Sequence, residues 1–234
     1  MSASELPADP TREPWSGSDA GPRAHFQAQL RDLDAALVAI AEDVARAIAP
    51  ANRALLDGLP AEADERARDS AVRGRYRELE DACFVLIARE APVGVDLREV
   101  VAIVRAVTDI ERSSKLLVHI AETFADVHPE RMADGVRIAL RMLAQSSERI
   151  FTSGVTAWQH RDGLAVNELH ELDDEVDRLQ AGLLSELYLG RHPVEQVVAL
   201  ALLGRYYERL ADHGVALAYH IAWAVTGLRA GAPL

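Results

Sequence analysis

Two pairs of carboxylates, each with the spacing i, i+4, are the side chains of this sequence best suited to chemistry. Glu208 and Asp212 form one pair, and Asp173 and Asp177 form the other. Residues four apart lie on one face of a helix, so each pair can point at a common cation. Carboxylate oxygens suit cations such as Mg²⁺, Mn²⁺, Ca²⁺ or iron, and His213 could add a nitrogen ligand. The pattern therefore indicates a metal site formed by two neighbouring helices.

Both acid pairs lie within apolar stripes of their helices rather than opposite them. The stripe around Glu208 and Asp212 consists of Val197, Ala201, Gly204, Val215 and Tyr219, and the other stripe contains Val166, Leu169, Val176 and Leu184. Four carboxylates held in this way would repel one another strongly unless cations compensated them. One such pair alone is typical of an exposed helix face, so the second pair is what favours a metal. Arg209, which follows Glu208, is interpreted as a salt-bridge residue.

The overall charge limits the classes of partner. The 234 residues carry a formal net charge of −12, which argues against nucleic acid and anionic lipid because both would repel the chain.

Cys83 is the only cysteine, so a framework of internal disulfides is excluded. No apolar run approaches the roughly 18 residues of a membrane span, and the N-terminus has no apolar signal core. We therefore expect a cytoplasmic protein.

The periodicity of apolar residues predicts six long amphipathic helices and no strands. Their predicted ranges are 24–57, 61–90, 95–126, 130–161, 163–189 and 193–228. Proline and glycine mark the breaks between them, as in the Gly-Leu-Pro of 58–60 and the Pro-Val-Gly of 92–94. Pro193 is placed at the start of the last helix, and Asp162 could cap the fifth.

An internal repeat divides these helices into two sets of three. Glu111-Arg112 and Glu208-Arg209 stand 97 positions apart in similar apolar surroundings. Three helices over about 100 residues can close a core of their own, so we predict an all-α fold of two tandem three-helix bundles. The predicted divisions are a disordered leader at 1–22, bundles at 23–128 and 129–228, and a flexible tail at 229–234.

Three segments carry a resemblance to a known family. Residues 91–98, Ala-Pro-Val-Gly-Val-Asp-Leu-Arg, followed by Asp-Ile-Glu-Arg at 109–112, resemble the first signature of the PhoU family of phosphate-signalling proteins. Residues 203–213, Leu-Gly-Arg-Tyr-Tyr-Glu-Arg-Leu-Ala-Asp-His, resemble the second signature of that family. The likeness covers about 24–228 and includes both halves. It implies a PhoU-like pair of bundles, each able to hold a multinuclear metal cluster through E/DxxxD motifs on its second and third helices.

The resemblance implies that one of these two metal sites is kept. The second half has all four acids, namely Asp173, Asp177, Glu208 and Asp212. In the first half Asp69 and Glu111 match the family, but Arg73 and Lys115 stand where the other two acids belong, and Ser114 replaces a glycine. We expect Asp69–Arg73 and Glu111–Lys115 to form i, i+4 salt bridges that neutralise a degenerate site.

The resemblance also implies a function. PhoU proteins damp phosphate uptake and the phosphate-starvation response, acting between the ATPase subunit of a phosphate ABC transporter and a sensor histidine kinase. We accordingly expect a non-enzymatic regulator that reaches the membrane through its partners, forms a homodimer and binds divalent or trivalent metal ions (iron, zinc, manganese or magnesium). No nucleophile or phosphate-cradling loop accompanies the acids. The alternatives are a diverged metal-free helical adaptor and a carboxylate-bridged di-metal oxidoreductase, although the latter typically needs Glu-x-x-His pairs.

Overall fold

The computed structural model describes residues 21–57, 65–125, 127 and 132–228, and this part of the chain forms six α-helices without a strand. The helices are α1 (Pro22–Asp57), α2 (Glu65–Glu90), α3 (Gly94–Ala125), α4 (Asp134–Gln159), α5 (Ala165–Leu189) and α6 (Val194–Thr226). The predicted all-α class is confirmed. No described helix is long and apolar enough to cross a membrane.

The helix ends follow the proline and glycine signals of the sequence. Pro22 stands in the first turn of α1, and Pro193 immediately precedes α6. Asp162 accepts hydrogen bonds from the backbone N–H groups of Leu164 (2.9 Å) and Ala165 (3.3 Å), so it supports the turn that leads into α5, although the N-cap position is Leu164, two residues later than predicted. The positions predicted to open the second and fourth helices, 61–64 and 130–131, lie outside the described residues.

Each set of three helices packs together, and the two sets also pack against each other. α1 lies against α4, and α3 lies against α6, so the buried apolar residues of both sets belong to one continuous core. α3 and α6 run antiparallel: the His119 ring stacks on Tyr206 with centroids 5.6 Å apart, while the Arg105 guanidinium lies 4.9 Å over the Trp223 ring. The predicted pair of bundles is thus present, joined along two helix pairs. The predicted domain limits, with the leader and the tail, stay predictions.

A close crossing of α4 and α6 determines how α6 is turned. A Cβ atom built on Gly214 would lie 2.6 Å from Cα of Phe151, and one built on Gly154 would lie 2.1 Å from the carbonyl oxygen of Gly214. Only glycine allows the two backbones to touch at this distance, since protein interiors are close-packed. The contact fixes the rotation of α6 about its axis, and so positions both Asp212 and His213, which point in different directions.

Candidate metal centre

The second and third helices of the second bundle bring the four predicted acids together. Asp173 and Asp177 lie on α5, and Glu208 and Asp212 lie on α6. Gly204, one turn before Glu208, lets the two helices approach, because a Cβ atom there would meet the Leu183 side chain at 3.0 Å. Glu208 is buried, Asp173 and Asp212 are partly buried, and Asp177 is exposed. The acids therefore form a cluster that opens to solvent on the α5 side.

Asp173 is the most perturbed acid of this cluster. Burial raises its pKa to about 6, and the charges of Asp212 and Asp177 act in the same direction. Its Oδ1 atom is buried and has no hydrogen-bond partner among the described residues. A buried oxygen of this kind is unfavourable unless a proton or a cation satisfies it.

The two acids of α6 are also shifted towards the neutral form. Burial is the first cause of the raised pKa of Glu208, followed by the charge of Asp212. Burial likewise raises the pKa of Asp212, while Arg209 acts against it. Arg205 donates a hydrogen bond from Nη1 to Oε2 of Glu208 at 2.5 Å. The cluster thus combines four carboxylates with arginine charges supplied by α6.

The chemistry of these donors fits a cation, but the side chains are not arranged as a ligand cage. An all-carboxylate set with one unpartnered buried oxygen suits hard and borderline metal ions. Within the described residues, however, no three His, Cys, Asp or Glu side chains converge closely enough to hold a metal ion. A bound metal would therefore require side-chain movements, first of all at Glu208, which is engaged by Arg205.

The corresponding region of the first bundle contains the expected salt bridge. Lys115 Nζ donates to Glu111 Oε1 at 2.7 Å, which confirms the predicted i, i+4 pair. Ser114, beside it, is buried. The Asp69 side chain lies outside the described residues, so its pairing with Arg73 stays a prediction. The positive charge of Lys115 beside Glu111 disfavours a cation at this place.

His213 lies at the interface between the bundles and not in the acid cluster. Its Nδ1 is 3.2 Å from Oδ1 of Asp109 on α3, and Nε2 of His220 is 2.9 Å from the other oxygen of that carboxylate. Burial opposes ionisation of Asp109, but the hydrogen bonds from His213 and His220 outweigh it and place its pKa far below the usual range. A role for His213 as a metal ligand is therefore not supported by its position.

Sequence reasoning placed Asp109 and Arg205 within the two signature segments but assigned no partner to either, and it did not identify His220. The spacing of His213 and His220 is i, i+7, which places both on one helix face and was the available signal for a shared partner. The partner itself is more than 100 residues away in sequence, and no local pattern identifies it. Arg205, three residues before Glu208, is better placed for an ion pair than Arg209, since neighbours in sequence point in different directions.

Two similar three-helix bundles in tandem define this chain as an all-α repeat protein. The family model described as the PhoU domain matches this chain twice, at residues 37–124 and 140–221. The first match lies within α1–α3 and the second within α4–α6. The chain belongs to the PhoU family.

Similar proteins and structures agree with this assignment. The "Phosphate-specific transport system accessory protein PhoU homolog 1" of Mycobacterium tuberculosis is 32% identical over 215 residues, covering 88% of this chain and 95% of that protein. The PhoU homolog of Deinococcus radiodurans is 32% identical over 168 residues, covering 70% and 78%. The crystal structure of PhoU from Pseudomonas aeruginosa superposes with a TM-score of 0.80 at 24% identity, covering 87% of this chain and 100% of that chain. PhoU from Streptococcus pneumoniae gives 0.76 at 18% identity, covering 87% and 98%, so the fold is shared.

Proposed function

We propose that this chain is a cytoplasmic, non-enzymatic negative regulator of phosphate uptake and of the phosphate-starvation response. It acts between the ATPase subunit of a phosphate ABC transporter and a sensor histidine kinase. The observation that carries this proposal is the match of the PhoU domain to both halves of the chain. The names of the mycobacterial relatives, which describe accessory proteins of a phosphate-specific transport system, support it.

A deletion strain tests this role. Loss of the protein is expected to leave the starvation response active in phosphate-rich medium, measured as phosphatase activity or as a reporter under a starvation promoter. Expression of the full chain from a plasmid should restore repression. A deletion strain that represses the response normally in phosphate-rich medium would contradict the proposal.

We further propose that Asp173, Asp177, Glu208 and Asp212 hold one metal cluster of iron, zinc, manganese or magnesium. The support is the unpartnered Oδ1 of Asp173, the raised pKa values of three of the four acids and their all-oxygen chemistry. When bound, the metal would supply positive charge that relieves repulsion between carboxylates. The acids of α5 and α6 would hold it between the two helices, in a structural or modulatory role.

Elemental analysis of the purified full chain tests the site. Asp212→Asn or Asp173→Asn should remove most of the bound metal, whereas Glu111→Gln should not, because Glu111 is paired with Lys115. Equal losses in all three variants would refute the one-site arrangement. A wild-type protein with less than about a tenth of an equivalent of any metal would favour the metal-free adaptor, a reading supported by the lack of a preformed cage among the described residues.

A homodimer is proposed on the apolar residues exposed where α5 ends and α6 begins. Tyr188, Leu189 and Val194 are 89%, 79% and 74% exposed, and large apolar side chains exposed close together in sequence are typical of protein interfaces. Sedimentation of the full chain at several concentrations tests it. Tyr188→Glu should shift a dimer towards the monomer, and a wild-type monomer throughout the range would overturn it.

A further inference from the structure

The ion pair between Arg205 and Glu208 has a buried end and an exposed end. The Glu208 side chain is 10% exposed, while that of Arg205 is 49% exposed. The guanidinium therefore reaches from the solvent side into the acid cluster and engages an oxygen that lies inside it. A charge-assisted bond of this kind is stronger than a neutral hydrogen bond, and the half-exposed side chain leaves Arg205 a path out into water.

The position of Arg205 differs in kind from that of Lys115 in the first bundle. Lys115 stands where a metal-binding acid is expected, so its pair with Glu111 replaces the site. Arg205 stands one turn before Glu208 and takes the place of none of the four acids. The residue 97 positions earlier is Thr108, whose hydroxyl donates to the carbonyl of Val104, so the first bundle has no counterpart of this arginine.

We propose that Arg205 is a competing counter-ion of the acid cluster, which holds Glu208 in the metal-free protein and must release it when a metal binds. This inference rests on the proposed metal site and identifies a residue that determines its affinity. The reason is both steric and electrostatic. The Glu208 oxygen that bonds the guanidinium is already engaged, and an arginine kept in that place would repel an incoming cation. The half-exposed guanidinium can turn into solvent, so the exchange leaves no buried arginine behind.

Removal of this competitor should have opposite effects on metal affinity and on the stability of the metal-free protein. Arg205→Gln should bind metal about tenfold more tightly, which corresponds to roughly 1.4 kcal/mol of competing interaction. The same variant should be less stable without metal, because Glu208 loses its partner while it remains buried. Arg205→Lys keeps a cation at the same place and should restore both properties towards those of the wild type.

The test is a titration of the chelator-treated full chain with Mn²⁺, combined with urea unfolding of the same metal-free samples. Wild type, Arg205→Gln and Arg205→Lys are compared. The control is Arg178→Gln, which removes an arginine beside Asp177 whose Nε bonds the Asp174 carbonyl rather than an acid of the cluster. The expected result is tighter Mn²⁺ binding and lower metal-free stability in Arg205→Gln, with a much smaller change in affinity in the control.

Three results would overturn the inference, and they are distinguishable. If wild type binds Mn²⁺ and Arg205→Gln binds it equally or more weakly, Arg205 is not a competitor, but the proposed site stands. The same conclusion applies if Arg178→Gln gains as much affinity, because the effect would then be one of general charge. If neither wild type nor Arg205→Gln binds Mn²⁺, Zn²⁺ or Fe²⁺, the metal site fails and the inference fails with it.

Discussion

Replacement of Asp173 by asparagine should make the metal-free protein more stable at neutral pH, although it removes a native side chain. The pKa of this carboxyl is raised from 3.8 to about 6 by burial and by the neighbouring acids. A shift of about two units corresponds to roughly 3 kcal/mol at 1.36 kcal/mol per unit. Because the group is partly exposed and water screens it, we expect a gain of about 1–2 kcal/mol.

The gain should depend on pH in a defined direction. The unfolded chain releases the Asp173 proton near pH 3.8, whereas the folded protein keeps it until about pH 6. Wild-type stability therefore falls as pH rises through this window, since the folded state binds more protons than the unfolded state. The advantage of Asp173→Asn should be small at pH 4.5 and complete above about pH 7.

Urea unfolding followed by far-UV circular dichroism at pH 4.5, 6 and 8, after treatment with a chelator, measures this difference. Glu171→Gln is the matched control, because it removes an exposed acid from the same helix and should change stability by less than about 0.5 kcal/mol at any pH. An advantage of Asp173→Asn that does not vary with pH, or a loss of stability at pH 8, would refute the reasoning. Added Mn²⁺ should reverse the order, because the variant lacks a proposed ligand.

Three other substitutions test contacts made by α6, two of them between the bundles and one within the second bundle, each by urea unfolding of the full chain. Asp109→Asn should cost about 2–3 kcal/mol at pH 7, because two histidines of α6 lose their carboxylate. Since the pKa of Asp109 is lowered in the fold, this loss of stability should be present above about pH 4 and should shrink as the pH falls towards that low pKa. A loss that does not vary with pH would contradict the lowered pKa of Asp109. Gly214→Ala should destabilise by about 1–3 kcal/mol or more, because its Cβ would meet the α4 backbone. The control is Gly182→Ala, which has nothing within 4 Å of its Cβ and should be neutral or stabilising by up to about 1 kcal/mol. Equal effects of the two substitutions would refute the close crossing. Asn52→Ala should cost about 1–3 kcal/mol, because the fully buried Tyr207 hydroxyl loses its acceptor at 2.7 Å, and a change below about 0.5 kcal/mol would show that this bond is dispensable.

The elements of the fold were predictable because their signals are local. Apolar periodicity, with proline or glycine at the breaks, placed all six helices and the repeat that relates them. The Glu111–Lys115 pair was predictable for the same reason, since residues four apart on a helix must be neighbours. The second and fourth helices were predicted to begin earlier than Glu65 and Asp134, where α2 and α4 begin. Each of these helices follows a segment outside the described residues.

The contacts between the bundles could not be predicted, because they join residues far apart in sequence. The hydrogen bond from Tyr207 to Asn52 spans 155 positions, and the bond between His220 and Asp109 spans 111. Periodicity shows that a face is buried but not which helix covers it. The four acids of the cluster were predictable as a set. The ion pair between Arg205 and Glu208 was not, because a spacing of three residues allows such a pair but does not determine the side-chain positions that form it.

The continuous core shared by the two bundles has a consequence for how such a repeat can diverge. The Asp109 carboxylate of the first bundle lies within hydrogen-bond distance of two histidines of the second, and Asn52 of the first satisfies a buried tyrosine of the second. Neither half is then a separate thermodynamic unit, and unfolding of the full chain should be one cooperative transition. The sequence predicts that Lys115 has replaced a metal-binding acid in the first half. Because the two halves share one core, the first half would keep its structural support through the second half rather than through a metal.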